Sequence, residues 1–174
     1  MDKEELKATL MDKHSMFVNF IANLTISEFS HSKNEKWTAG QQLEHILLAV
    51  KPVRQALSLP KYLLKVIFGK ANRPSKTNDA LIEKYLDKLK NGGRATRRFT
   101  PKTVDLKQSE KLIRALTGEV KLLCLKVDRF TESDLDKYIL PHPLLGKLTV
   151  REMLYFTIYH VQHHQAQTER NLHQ

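Results

Sequence analysis

The stretch TVREMLYFTIYHVQHHQAQ, residues 149–167, decides how the rest of this chain is read. Stepping residues about 100° apart places Val150, Met153, Leu154, Phe156, Ile158 and Val161 on one arc, the pattern of an amphipathic helix. Thr149 and Glu152 bracket its start as a capping box, hydroxyl and carboxylate answering the first free backbone amides. His160 and His164 fall inside the apolar arc, and His163 lies at its margin. Four residues apart on a helix, two imidazoles stack on one face about 5.4 Å apart. Imidazoles on a buried face need partners, and one shared metal ion would satisfy both. Two ligands do not complete such a site.

The third comes from residues 37–59, a second amphipathic helix. Thr38 and Gln41 form another capping box. Ile46, Ala49, Val50, Val53 and Leu57 share one arc, with Glu44, Lys51 and Arg54 opposite. Pro52 removes a backbone donor and clashes one turn back, so a kink is expected there. His45 lies at the edge of the apolar arc, and in a helical bundle sites form between side chains projecting inward from facing helices. His45, His160 and His164 are therefore the candidate metal ligands, leaving an open position for water or substrate. A satisfied core histidine is the plain alternative for His45, and His-x-x-x-His spacing alone is a weak signal. Imidazole suits zinc, nickel, copper and iron.

Gln41, one turn before His45, is a candidate to orient a ligand or touch substrate. His163 is either a donor at the pocket rim or solvated, and His142, between two prolines, either lines the mouth or sits in a turn. His14, His31 and His173 are expected at the surface. Val161 follows His160, so the glutamate of a His-Glu-x-x-His metalloprotease is missing, and Glu44 faces away. No side chain is nominated as the catalytic group; the chemistry would rest on water or a thiolate activated by the ion.

Two further helices follow from periodicity, over residues 3–28 and 107–129. Between the second and third long helices, residues 60–104 read as a crossover. It holds short helices at 60–68, closed by Gly69, and at 79–90, closed by Gly92 and Gly93. Residues 91–103 read as an exposed basic loop and 131–147 as a second loop. No stretch alternates convincingly as a strand, and no repeat is visible. The expectation is all-α: one domain over 1–174, a four-helix bundle with a long crossover between helices two and three.

At 174 residues the chain can bury a core without disulfides or structural metal, so a metal would serve function. The lone Cys124 sits in an apolar run and suits a reducing cytoplasm as a buried thiol. No apolar segment follows the charged N-terminus, so no secretory leader is expected. No apolar run reaches the eighteen or so residues of a membrane span. The net charge of +10 is concentrated in residues 61–114, which hold 15 Lys and Arg against 5 Asp and Glu. That stretch is either a solvated face or a contact for nucleic acid or another polyanion, through Arg94, Arg97 and Arg98.

The segments WTAGQQLEHILLAV (37–50), HPLLGKLTVREMLYF (142–156) and YHVQHHQAQ (159–167), in this order and spacing, resemble the DinB-like superfamily of DNA-damage-inducible and YfiT-like proteins. The resemblance covers essentially the whole chain. It implies a four-helix bundle with a divalent-metal site, zinc or nickel foremost, at His45, His160 and His164. Similar proteins include S-transferases using low-molecular-weight thiols such as bacillithiol or mycothiol, an isomerase acting on a thiol conjugate, and metal-dependent hydrolases. The resemblance therefore implies a small-molecule substrate, with a thiol as one cofactor, and often a homodimer. The alternative is a non-catalytic regulatory protein using the basic segment.

Overall fold

Capping residues and apolar faces set the helices of this computed structural model, which describes residues 1–33 and 36–173. Helix α1 (Lys3–Ala22) starts from a capping box of Asp2 and Glu5 and buries Leu6, Leu10, Phe17 and Ile21 on one side. It stops six residues before the expected end. Asn23 caps it, and Thr25 with Glu28 forms a new capping box that starts the short α2 (Ile26–Ser30). This second box divides one apolar periodicity into two helices. Residues 34 and 35, within the polar stretch SHSKNEK (30–36) that separates the first two long helices, lie outside the described residues.

Helix α3 (Ala39–Ser58) begins at the Thr38–Gln41 box and continues through Pro52. The crossover carries α4 (Lys61–Phe68), closed at Gly69 with φ +93°, and α5 (Asn78–Lys90). A 3-10 turn at Arg97–Phe99 and another at Leu106–Gln108 lead into α6 (Ser109–Val127). Then come α7 (Glu132–Lys137), strands β1 (Ile139–His142) and β2 (Gly146–Thr149), and α8 (Val150–Leu172).

The loop expected at 131–147 is thus largely ordered. Thr131 and Asp134 cap α7 reciprocally. β1 and β2 pair antiparallel from Ile139 opposite Thr149 to His142 opposite Gly146, whose φ is +78°. Four-residue strands are too short for alternation to show against the surrounding sequence.

The long helices α1, α6, α3 and α8 pack in a ring in that order, with α8 closing onto α1. Arg151 of α8 donates to the carbonyl of Met1, so α1 and α8 start at the same end. Arg129, just past α6, donates to the carbonyl of Ser58, the last residue of α3, so α3 and α6 finish together. Parallel neighbours joined in sequence need a connection spanning the bundle's length, which explains the long crossover. Arg54 also binds Glu119 through two hydrogen bonds at 2.6 and 2.8 Å, tying α3 to α6.

The crossover is clasped to the start of α8. Fully buried Glu152 completes the α8 cap and accepts from Arg73 Nη1 at 2.6 Å, Arg73 Nη2 at 2.9 Å and Lys76 N at 2.7 Å. α5 then packs along α8, and its Leu81 and Tyr85 are buried. The architecture is all-α apart from one small hairpin, and among the described residues no helix is long and apolar enough to cross a membrane. Cys124 is buried, and its thiol faces the carbonyl of Lys7 at 3.8 Å. Burial pushes its pKa up to about 11, which keeps it an unreactive thiol.

Candidate metal centre

Helices α3 and α8 run antiparallel and bring His45 against His160 and His164. All three side chains are buried, and their ligand atoms lie within 4.8 Å of one another. His160 Nε2 lies 3.2 Å from His45 Nε2 and 3.0 Å from His164 Nε2.

Outer hydrogen bonds decide which nitrogens are free. His45 Nδ1 is 2.7 Å from the carbonyl of Phe99. A carbonyl only accepts, so Nδ1 carries the proton and Nε2 presents a lone pair. His164 Nδ1 contacts Gln42 Oε1, which fixes the same tautomer there. Two lone pairs therefore face His160 Nε2, which can carry at most one hydrogen. Burial, first, and then the neighbouring histidines hold the pKa of His160 well below its usual value. Burial also lowers those of His45 and His164. The ring trio thus stays neutral at pH 7, which is the ligating form. Three convergent neutral nitrogens, each of two backed by an oxygen acceptor, form a donor set that can hold a divalent cation.

The cluster forms one wall of a cavity of about 1060 Å³. Trp37 tilts over His45 with ring centroids 4.8 Å apart, and Phe156 stacks on His160 at 4.7 Å. Tyr85, from α5, sets its ring edge-on to Phe156 at 5.2 Å, to His163 at 5.7 Å and to His160 at 6.3 Å. Burial pushes its pKa up to about 12, so its hydroxyl keeps its proton. No aspartate or glutamate is among the described residues lining the cavity.

The other candidate residues fall in distinct places. Gln41 is spent on the α3 cap, its Oε1 accepting from Thr38 N at 3.0 Å, and the contact to the histidines comes from Gln42 instead. One residue along a helix is a rotation of about 100°, enough to turn the side chain from the cap to the core. His163 lines the cavity half-buried and accepts from the Gln167 amide at 2.8 Å. His142 also lines it, with Nδ1 accepting from Leu144 N at 3.2 Å and Leu145 N at 3.1 Å, and its ring 4.2 Å from Phe156. Burial, with a contribution from Lys84, drives its pKa down to about 4.

Arg94 and Arg98 are exposed and line the cavity, whereas Arg97 is exposed but does not. Arg98 sits over the ring of Phe99 at 5.7 Å. The basic loop is thus attached to the site through the Phe99 carbonyl and is not purely solvated. His31 and His173 are at the surface as expected, but His14 is 2 % exposed on the core face of α1. Its place in the Leu6, Leu10, Phe17 and Ile21 stripe was the signal for burial.

A family model described as the DinB superfamily matches residues 9–168. No curated protein matches the chain.

Proposed function

This chain belongs to the DinB superfamily, and from that premise we propose that it is a divalent-metal-dependent enzyme that transfers a thiol to an electrophilic small molecule. The observation that carries the metal reading is the pair of fixed lone pairs on His45 and His164, both facing His160 Nε2. His45, His160 and His164 would hold the ion; imidazole admits zinc, nickel, copper or iron, and the family resemblance puts zinc or nickel first. When bound, such an ion supplies Lewis acidity that lowers the pKa of a coordinated thiol or water.

The lining favours thiol transfer over hydrolysis. Water needs help to lose a proton, and no carboxylate lines the cavity among the described residues. The lone pairs of His142 Nδ1 and His163 Nε2 are already taken by N–H donors. A thiol, with an ordinary pKa of about 8.5, ionises with far less assistance. The Tyr85 hydroxyl can donate to a developing anion, and Arg94 and Arg98 attract an anionic thiol to the mouth.

The test is turnover of an electrophile such as monochlorobimane with bacillithiol, mycothiol, glutathione or cysteine, beside hydrolysis of a nitrophenyl ester. Conjugation that needs both thiol and metal and disappears in His164→Ala supports transfer. Ester hydrolysis without thiol-dependent conjugation contradicts it.

A further inference from the structure

His14 is the one residue of the α1 core face that is not apolar, standing between Leu10 and Phe17 in a stripe that also holds Leu6 and Ile21. It lines the same cavity as the histidine cluster. Its Nδ1 lies 2.8 Å from the Leu10 carbonyl, so Nδ1 carries the proton and Nε2 bears a lone pair. That Nε2 is the sole buried side-chain nitrogen or oxygen without a partner among the described residues. Folded proteins pair nearly all such atoms, and leucine or phenylalanine would fit the stripe without the cost.

The surroundings specify what would pair with it. Burial lowers the His14 pKa to about 4, so the ring is neutral and Nε2 can only accept. The walls nearest in character are apolar, with Val50, Val53, Leu140 and Met153 lining the cavity. The Thr157 hydroxyl, also in the lining, spends its proton on the Met153 carbonyl at 2.7 Å and so can only accept from a further partner. The cavity wall at His14 and Thr157 therefore offers acceptors, whereas the Tyr85 hydroxyl donor lies against the histidine cluster and the cationic donors Arg94 and Arg98 are at the exposed side. A volume of about 1060 Å³ is enough for a drug-sized organic molecule.

We propose that the cavity binds a neutral molecule with an apolar body carrying one hydrogen-bond donor, a hydroxyl or N–H, which is received by His14 Nε2. This inference concerns the cavity of the thiol-transfer reading and gives the class of its acceptor substrate, but it rests on His14 and the apolar walls and not on a bound ion.

Indole and benzofuran test it, being nearly the same shape with and without an N–H donor. Calorimetric titration of the full chain is expected to show indole binding about tenfold tighter than benzofuran. In His14→Leu the preference should vanish while benzofuran binding persists. In His164→Ala the preference should remain, so failure of the metal reading leaves this one standing. A variant-free readout is the long-range proton–nitrogen NMR correlation of the imidazoles, in which His14 Nε2 should move with indole and stay with benzofuran. Equal affinities, binding of neither compound, a preference that survives His14→Leu, or an unmoved Nε2 resonance overturns the proposal.

Discussion

His45 on α3 donates its Nδ1 proton to the carbonyl of Phe99, 54 residues downstream, at 2.7 Å. The ring that faces His160 is thus oriented by the loop that also brings Arg94 and Arg98 to the cavity. The other outer contact, Gln42 to His164, does the same work from within the bundle. Both contacts fix tautomers, and both give predictions.

Gln42 is 2 % exposed, and its side-chain oxygen is the acceptor for His164 Nδ1. Gln42→Leu should weaken divalent-ion affinity by roughly 10–100-fold, the usual cost of losing an orienting partner behind a ligand. Gln42→Glu, which keeps an acceptor, should retain most of it. Competition against a chromogenic chelator reads both.

Arg94 and Arg98 should raise the local concentration of anionic ligands. The double substitution to alanine is expected to raise KM for an anionic thiol roughly three- to tenfold at low salt, with the gap closing near 0.5 M salt as screening takes over. Retention on DNA that falls with salt and is lost in Arg94→Ala/Arg97→Ala/Arg98→Ala would instead favour the polyanion contact.

Glu152 joins the α8 cap to the crossover through Arg73. Glu152→Ala should cost about 2–3 kcal/mol in urea unfolding, less than a fully buried pair because Arg73 is 35 % exposed. Burial alone would raise the Glu152 pKa, but Arg73 and the amides of Lys76 and Thr149 hold it below the usual value. A carboxylate depressed in the folded state contributes stability above its unfolded pKa of about 4.3 and loses it as pH falls through the lower folded value. The stability gap between the natural chain and Glu152→Ala should therefore narrow below pH about 4.

The four long helices were legible because each carries several buried turns of apolar residues, and capping boxes at Thr38 and Thr149 also mark the starts of two of them. The C-terminal end of α1 and the order within 131–147 are not legible in the sequence, because the elements started by the boxes at Thr25 and Thr131 are only five and six residues long. The three histidines could be placed on facing helices from periodicity alone. Their orienting partners could not. Phe99 contributes a backbone carbonyl, which leaves no trace in residue type, and Gln42 was masked by its neighbour's capping role. Tyr85 enters from the crossover, whose path depends on tertiary contacts such as Arg73 with Glu152.

Gly40 marks a close helix contact. A Cβ there would sit 2.7 Å from Phe29 Cε1 and 3.1 Å from Val104 Cβ, and Phe29 is fully buried. Gly40→Ala should destabilise by up to about 2 kcal/mol despite alanine's better helix propensity, since overpacking costs about 1–3 kcal/mol and propensity returns about 1. Urea midpoints measure the balance.

The most direct measurement of the central claim is the elemental content of tag-free protein, for the natural chain and for His45→Ala, His160→Ala and His164→Ala. One equivalent of a divalent transition metal in the natural chain, lost in each single variant while far-ultraviolet circular dichroism stays helical, is the result the three-histidine centre predicts. Metal content unchanged by those substitutions, or a natural chain that takes up no divalent ion when supplied with zinc or nickel, would contradict it.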